Sequence, residues 1–413
     1  MVDFITVVYL SLMFIALYML AFFIILTFRN NKELMTYERP RKFYSVSVLI
    51  PAYNEQDSIK ETIEHVANLD YPKNKLEIIV VNDGSKDKTR EVVEKMIRSK
   101  KYFNLKIINK KNSGKADSLN QGVEMAKGEL IAVVDSDSFP SPSSLYKLVG
   151  YFNNKEMGAV TSFVTVRNKN QNILTRLQSL EYMLIGWSRK LLDFINSVYV
   201  TNGPLSVYRK QFILNVGGFD KQSITEDIDI TWNMLYHGYK TSMCLDARVS
   251  TITPYKFKPW FRQRMRWGAG GLQALQKYRK MFFKRGIFGY FVMPFVSLSI
   301  LVSLVSFIFS MYLLLKAISA KTLSIGYSIA LSSSIIHLQE INLSQPIMIF
   351  FLVILFICST TYYHYVLQTA RYEENLNLKR FLFLILYMLV YLALYPVVWF
   401  ASIYKYVKGD FRW

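Results

Sequence analysis

Residues 130–137 read LIAVVDSD, in which five apolar residues run directly into an acid, a serine and a second acid. Two other apolar runs of strand length, Val46–Ile50 and Ile78–Val81, also lead into polar residues. Polar-faced stretches of helical length lie between and after these runs, at 57–68, 86–99 and 115–127. Alternation of strands with helices is typical of a parallel sheet that is covered by helices on both faces. We therefore predict an α/β domain over residues 43–255.

Acidic side chains at the ends of these strands are the first candidates for a ligand site, because open parallel sheets bind ligands beyond the carboxyl ends of their strands. Asp135 and Asp137 follow a fully apolar run, where an acid costs desolvation energy unless something balances it. Such a pair suits Mg²⁺, which prefers one or two carboxylates together with phosphate oxygens; the alternative is a helix cap or a loop acid. Asp83 is either the N-cap of the helix at 86–99 or an acceptor for the imide N–H of a pyrimidine base.

A glycine–lysine pair opens the helix at 115–127. Lys115 follows Gly114, and a lysine at a helix N-terminus suits a diphosphate. The segment is not a Walker A loop, because Ala116 stands where that loop needs serine or threonine. The glycines near 268–270 also fail as a dinucleotide fingerprint, because Gln273 occupies the third glycine position.

Two further clusters lie beyond residue 220. Thr225-Glu226-Asp227 opens a helix, and threonine and acids in a first turn are also what an ordinary capping region contains. Residues 263–267 read QRMRW and lie in a segment dense in arginine and tryptophan. This composition is typical of an amphipathic helix at a membrane surface. Guanidinium groups also bind diphosphates, and an indole offers a flat apolar face to a sugar ring.

Long apolar segments flank the predicted α/β domain. No charged residue occurs from Phe4 to Phe28, a run longer than the roughly 20 residues that a membrane helix needs. Basic residues follow it, so we expect a retained anchor whose C-terminal side faces the cytosol. Three more apolar runs lie at 287–315, 346–368 and 381–403, and a weaker serine-rich stretch lies at 322–338. Basic residues near the C-terminus favour a cytosolic C-terminus, whereas four spans in total place it outside; both alternatives stay open.

The composition narrows the functional classes. The 413 residues are 52% hydrophobic and 19% charged, with a formal net charge of +20. A basic excess indicates a nucleic-acid surface, an anionic substrate or a membrane protein with basic cytosolic loops. Nucleic-acid binding does not explain the apolar spans, so we expect no nucleic-acid partner. Two distant cysteines and four scattered histidines argue against a disulfide framework and against a zinc site.

These observations predict four segments. They are an N-terminal transmembrane anchor and linker at 1–42, a cytosolic domain at 43–255, an amphipathic interfacial region at 256–286 and C-terminal transmembrane helices at 287–413.

Taken together, the motifs resemble the D, D-x-D, T/E-D and Q-x-x-R-W series of processive family-2 glycosyltransferases, which include cellulose, chitin, hyaluronan and poly-β-1,6-N-acetylglucosamine synthases. This chain carries them as Asp83, Asp135-x-Asp137, Thr225-Glu226-Asp227 and Gln263-x-x-Arg266-Trp267. Length and the single N-terminal span look most like the poly-N-acetylglucosamine synthases. Residues 202–209, NGPLSVYR, are instead similar to the SGPLGMYR segment of hyaluronan synthases, with Asn202 in place of serine.

The resemblance implies a GT-A-like, Rossmann-type cytosolic domain joined to an α-helical transmembrane bundle. It also implies roles for single residues. The nucleotide would be held by Pro51, Ala52, Tyr53, Glu55, Asp83, Lys115 and Asp135. Asp137 would bind Mg²⁺ or Mn²⁺, and Asp227 would be the general base. The diphosphate and the acceptor sugar would contact Gln263, Arg266, Trp267, Glu226 and Gly203.

The implied activity is inverting transfer from a UDP-sugar, with UDP-N-acetylglucosamine as the best match, by a multi-pass protein of the plasma membrane whose catalytic domain is cytosolic. The product would be a β-linked polysaccharide that leaves through the enzyme's own membrane helices. The implied partners are the UDP-sugar, the growing polysaccharide and the lipid bilayer, and an accessory membrane subunit is compatible with them. The alternatives are transfer of one sugar to a lipid or polyprenyl-phosphate acceptor, and a transporter or inactive polysaccharide-binding subunit.

Overall fold

The computed structural model of the chain describes residues 4–102, 104–330, 344–370 and 378–409. They fall into two compact units. The α/β unit contains Leu26–Pro294 and the chain from Ala401 onward, and the helical unit contains the chain up to Ile25 together with Phe295–Phe400.

One eight-stranded sheet organises the α/β unit. Its strands are β1 Val46–Ala52, β2 Leu76–Asp83, β3 Leu105–Lys110, β4 Leu130–Val133, β5 Ser138–Pro140, β6 Met157–Val166, β7 Ser206–Arg209 and β8 Lys240–Thr251. Their order in the sheet is β3-β2-β1-β4-β7-β6-β8-β5. The four strands from β3 to β4 are parallel, so the carboxyl ends of β2, β1 and β4 meet at one edge.

The α-helices of the described residues are divided between the two units. They are α1 Phe4–Arg29, α2 Ile59–Ala67, α3 Thr89–Arg98, α4 Lys115–Met125, α5 Ser144–Val149, α6 Ile173–Asp193, α7 Lys210–Asn215, α8 Glu226–Tyr236, α9 Phe257–Lys277, α10 Met293–Ala330, α11 Ser344–Thr369, α12 Leu378–Leu386 and α13 Tyr395–Lys408. The three predicted strands coincide with β1, β2 and β4, and the three predicted helices with α2, α3 and α4. The predicted α/β domain and the predicted long apolar helices are confirmed.

The sheet differs from the prediction in one respect, because it is mixed rather than wholly parallel. Strand β7 runs antiparallel to both of its neighbours, β4 and β6. Strand β7 has only four residues, and a run that short carries no signal of its direction. The reversal matters for the site, because it brings the loop before β7 to the edge where β4 ends.

Two apolar layers cover the two faces of the sheet, as the alternation of side chains in a strand requires. From β1, Val48 and Ile50 join one buried cluster with α2 and α5. Leu49 points to the other face and packs in a second cluster with α4 and α8. All three side chains are fully buried. The core therefore fixes the strand ends from both sides and leaves their polar extensions at the edge.

Within the described residues, four helices are long and apolar enough to cross a membrane, which indicates a membrane protein. They are Phe4–Arg29, Phe288–Leu323, Ile349–Thr369 and Phe381–Lys408. They overlap the four long apolar runs of the sequence. The weaker stretch at 322–338 is helical as far as Ala330, and its remainder lies outside the described residues.

Candidate active site

The site lies where β2, β1 and β4 end side by side. Pro51 and Ala52 are the last residues of β1, and they pair with Val81 and Asn82 of β2. On the other side of β1, the backbone N–H of Val134 donates to Leu49 at 3.0 Å. The topology thus brings the polar residues after all three strands to one edge, as the sequence predicts.

Lys115 is the central cation of this edge. It is the first residue of α4, and its Nζ lies 2.6 Å from Asp135 Oδ1 and 2.7 Å from Glu226 Oε1. Burial alone would lower the pKa of Lys115, but the carboxylates around it raise that pKa above its ordinary value. One ammonium group therefore joins the acid after β4 to the first turn of α8, which lie 91 positions apart in the sequence.

Asp227 lies beside Glu226 in the first turn of α8. Burial raises the pKa of Asp227 above its ordinary value, and the negative charge of Glu226 raises it further. The positive charges of Lys115 and Arg266 oppose this rise. For Glu226 the same two cations outweigh burial and lower its pKa. Two adjacent carboxyls thus differ, and the one with the raised pKa is the better proton acceptor near neutral pH.

Asp137 is a half-buried carboxylate that accepts weak hydrogen bonds from the hydroxyls of Ser138 at 3.2 Å and Thr251 at 3.4 Å. Burial, together with the charges of Asp135 and Glu55, raises the pKa of Asp137 to about 6. When burial and nearby negative charges raise the pKa of a carboxyl group, a bound cation stabilises its ionised form.

These residues fit a hard divalent cation that also binds phosphate. In the part of the chain that the structure describes, no group of three or more His, Cys, Asp or Glu side chains is arranged to hold a metal ion. Among the described residues, Asp135 and Asp137 are a pair of carboxylates at this edge. Mg²⁺ and similar ions commonly take one or two carboxylates and complete their shell with substrate phosphates and water.

Gly203 makes this arrangement possible by its lack of a side chain. A Cβ at this position would lie 2.4 Å from Asp135 Oδ2, too close for any real contact. The Gly203 carbonyl accepts a hydrogen bond from the backbone N–H of Asp135 at 3.2 Å. The loop before β7 therefore packs directly on the carboxylate that pairs with Lys115.

Asp83 is buried, and its carboxylate is engaged by its own protein. Its two oxygens accept hydrogen bonds from the backbone N–H groups of Ser113 and Gly114, each at 2.9 Å, and it forms an ion pair with Lys110. These bonds shape the turn that carries Lys115. A contact between Asp83 and a nucleotide base stays a prediction.

The other nucleotide-side candidates differ in exposure. Tyr53 is exposed, whereas Glu55 is half-buried and accepts a hydrogen bond from the Ser58 hydroxyl at 2.7 Å. Burial raises the pKa of Glu55, and the negative charges of Asp135 and Asp87 raise it further.

Helix α9 carries the QRMRW motif. Gln263 and Trp267 are half-buried, and both contact Arg264: its guanidinium donates to Gln263 Oε1 and lies 4.2 Å from the centre of the Trp267 ring. Arg266 is near enough to lower the pKa of Glu226. Arg266 of the motif and Lys115 therefore both act electrostatically on Glu226.

Sequence reasoning did not select Arg264 or its partner Glu181, although they form a fully buried ion pair between α9 and α6. An acid in α6 is ambiguous from sequence alone, because its partner lies 83 positions away. Sequence reasoning also missed Arg189 of α6, which interacts electrostatically with Tyr199 and Asp227.

A comparison with protein families decides the class of this site. Residues 40–270 match the family model described as Glycosyltransferase like family 2. The chain belongs to this family. The family match thus places it among the glycosyltransferases.

Curated relatives agree with this assignment. The glycosyltransferase is 34% identical over 256 residues to "Probable glycosyltransferase YdaM" of Bacillus subtilis, a match that covers 60% of each chain. It is 32% identical over 232 residues to "Poly-beta-1,6-N-acetyl-D-glucosamine synthase" of Staphylococcus aureus, over 56% of this chain and 55% of the relative. The matches thus span little more than half the length of these relatives.

A solved structure extends the likeness in fold to nearly the whole chain. The mannosyltransferase PcManGT from Pyrobaculum calidifontis, solved with GDP-Man and Mn²⁺, superimposes with a TM-score of 0.61 at 17% identity. The superposition covers 97% of this chain and 99% of that one. At this identity the likeness concerns the fold.

Proposed function

We propose that this glycosyltransferase polymerises a UDP-sugar, with UDP-N-acetylglucosamine as the best match, into a β-linked polysaccharide that leaves through its own membrane helices. The observation that carries the proposal is the convergence of Lys115, Asp135 and the Glu226–Asp227 pair at one sheet edge. The similarity to a poly-β-1,6-N-acetylglucosamine synthase supports this choice of sugar. The proposed location is the plasma membrane, with the α/β unit in the cytosol.

Asp227 would perform the proton transfer. The acceptor hydroxyl oxygen attacks the anomeric carbon of the donor, the bond from that carbon to the diphosphate breaks, and UDP leaves with the bonding electron pair. The acceptor proton passes to the Asp227 carboxylate, whose raised pKa suits a general base. Because the attack comes from the face opposite UDP, an α-linked donor yields a β-linkage.

The leaving diphosphate needs positive charge rather than a general acid. Lys115 and Arg266 are cations whose charges act on both Glu226 and Asp227. Asp137, with Asp135, would hold Mg²⁺ or Mn²⁺, which would stabilise negative charge on the diphosphate. A solved relative in fold contains Mn²⁺, which supports this assignment.

The nucleotide would lie along the β1 and β2 ends. Pro51, Ala52 and Tyr53 would line the uridine site. Glu55 and Asp83 would also help to hold the nucleotide. Asp83 would contribute directly or through the Ser113–Gly114 turn that its carboxylate holds. Gly203 and Gln263 would face the sugars.

Substitution of Trp267 tests whether the enzyme forms a polymer. We expect Trp267→Ala to leave UDP-N-acetylglucosamine binding nearly intact, because the role proposed for the indole is contact with the acceptor. Polymer formation should fall sharply, and the residual product should be shorter, since stacking of a flat ligand on an aromatic ring contributes on the order of 1–3 kcal/mol. The product is sized per mole of folded protein.

Trp267→Phe is the matched control, because it keeps an aromatic face of smaller area. An interfacial anchor would tolerate Trp267→Phe, and Trp267→Ala would then reduce protein yield without changing product length. An unchanged length distribution in Trp267→Ala therefore contradicts an acceptor platform. A parent enzyme that adds a single sugar to a lipid or polyprenyl phosphate would show the alternative, non-processive activity.

A further inference from the structure

A buried ion pair connects α6 to the middle of α9. The side chains of Glu181 and Arg264 are 2% and 1% exposed. Arg264 Nε donates to Glu181 Oε1 at 2.9 Å, and its Nη2 donates to Oε2 of the same carboxylate. Two parallel bonds of this kind fix the orientation of the guanidinium plane as well as its position.

Besides Glu181, the Arg264 guanidinium contacts Gln263 and Trp267, the first and last residues of the QRMRW motif. Its Nη1 donates to Gln263 Oε1, and its central carbon lies 4.2 Å from the centre of the Trp267 ring. The Tyr182 ring lies 6.1 Å from that of Trp267 and tilts 55° to it. The rotamers of Gln263 and Trp267 therefore depend on a group that is itself held from α6.

Helix α6 also fixes the chain just before α9. Gln178, one turn before Glu181, donates from Nε2 to the carbonyl of Pro254 at 2.7 Å. Its Oε1 accepts a longer bond of 3.4 Å from Arg264 Nη2. The segment that leads into α9 and the QRMRW motif within α9 are thus both held by the same face of α6.

Stability alone does not explain this pair. Replacing a buried ion pair by apolar residues of similar volume is often neutral or stabilising, so two apolar residues would hold the helices equally well. What the ion pair supplies is orientation, because arginine combines a rigid fork of donors with a flat cationic face. Lysine offers the same charge without either feature.

We propose that Arg264, held by Glu181, is a positioning residue that sets the side chains of Gln263 and Trp267 toward the acceptor. Arg264 acts through these two residues and does not itself touch a substrate. The consequence for acceptor transfer rests on the function proposed above, whereas the orientation of Trp267 does not.

Two variants separate orientation from stability. Arg264→Lys keeps the charge and removes the fork, and the double variant Arg264→Met with Glu181→Leu removes both charges at similar volume. Arg262→Lys is the matched control, because Arg262 is exposed on the same helix. In each background the fluorescence of Trp267 is isolated by subtracting the spectrum of the same protein carrying Trp267→Phe.

We expect the Trp267 fluorescence to become more accessible to acrylamide quenching, and its emission maximum to shift, in both variants and not in the control. Unchanged quenching in folded variants would overturn the proposal. Unfolding of both variants under conditions where Arg262→Lys is stable would also overturn it, since the pair would then be a structural clamp.

The kinetic experiment uses UDP-N-acetylglucosamine as the probe and compares UDP release with sugar incorporation. We expect the donor KM to stay unchanged while incorporation falls about tenfold to 100-fold, as a misplaced positioning group causes. A rise in donor KM that accounts for the loss would contradict an acceptor-side role. If the parent itself incorporates no sugar, the proposed function has failed, and the quenching comparison still decides the orientation of Trp267.

Discussion

At the scale of single residues, Asp227 and Glu226 show how one environment gives two carboxyls different properties. Lys115 contacts Glu226 directly and keeps it ionised, whereas Asp227 is buried beside that negative charge. The pKa of Asp227 rises as a result. A general base works only when it is deprotonated, so the pH dependence of activity reports this residue.

We expect transfer to increase with pH through the raised pKa of Asp227 and to fall on the acid side, because protonation removes the base. Asp227→Asn keeps the shape of the side chain and should lower the rate about 100- to 10,000-fold while UDP still binds. The measurements are the pH–rate profile of the parent and UDP affinity of the variant by calorimetry. A loss of UDP affinity equal to the loss of rate would show that Asp227 is a ligand or a structural cap.

Asp137 has a pKa of about 6, and protons therefore compete with a metal for it. We expect the Mn²⁺ concentration for half-maximal activity to rise as the pH falls below about 6, by about tenfold per pH unit for one proton. Asp137→Ala should abolish transfer. It should not destabilise the fold at neutral pH, because folding disfavours the ionised form of a carboxyl whose pKa it raises.

The control for Asp137→Ala is Asp57→Ala, which removes an exposed acid. It should retain both the activity and the metal requirement of the parent. Near-normal activity of Asp137→Ala after treatment with EDTA would show that the metal assignment is wrong.

At the scale of elements, α8 and α9 pack so closely that one glycine determines their separation. A Cβ at Gly270 would lie 2.0 Å from the Thr225 hydroxyl, at the start of α8. Nearby, the Gln273 side chain accepts from the Ile224 backbone N–H at 2.8 Å and donates to the Gln222 carbonyl at 3.0 Å. Helix α9 therefore holds the loop that leads to Asp227.

Gly270→Ala should push α8 from α9 and cost about 1–3 kcal/mol in the free energy of unfolding, as overpacking does. Activity should fall further than stability, because the displaced helix carries Asp227. Gly271→Ala is the matched control, since its Cβ would meet nothing within 4 Å. It should be neutral or stabilise the protein by up to about 1 kcal/mol. Denaturant unfolding and transfer assays of both variants test this, and equal behaviour would contradict close packing of the helices.

The sequence determines some of these elements more clearly than others. Strands β1, β2 and β4 are predictable because their apolar runs end abruptly at polar residues, and their parallel order then gathers Asp83 and Asp135 at one edge. The direction of β7 is not predictable from four residues. Neither are the contacts of Gly203 with Asp135 and of Glu181 with Arg264, because they join distant segments and leave no local periodicity.

At the scale of the whole molecule, the contacts of Ser402 and Tyr406 constrain the number of membrane crossings. Within the α/β unit, Ser402 donates to the Met265 carbonyl of α9 at 3.2 Å, and Tyr406 donates to Gln276. Residues after Ala401 should therefore lie on the same side of the membrane as α9. Three full crossings between α9 and Ser402 would place these two parts of the chain on opposite sides of the membrane. We therefore expect an even number of crossings between them.

Single cysteines at exposed positions test this topology in a background without Cys244 and Cys358. We expect Lys408→Cys and the reference Lys86→Cys, in the α/β unit, to react with an impermeant maleimide in inverted vesicles only. Labelling of Lys408→Cys in right-side-out vesicles, with Lys86→Cys protected, would show an odd number of crossings.

We propose above that this glycosyltransferase elongates a polymer from UDP-N-acetylglucosamine. The most direct measurement supplies the purified, membrane-reconstituted protein with a panel of radiolabelled UDP-sugars and Mg²⁺ or Mn²⁺, and then sizes the product. We expect a long product from UDP-N-acetylglucosamine that a β-N-acetylglucosaminidase degrades and that Asp227→Asn forms about 100- to 10,000-fold more slowly. A product limited to one sugar on a lipid, or incorporation by Asp227→Asn at the rate of the parent, would contradict this proposal.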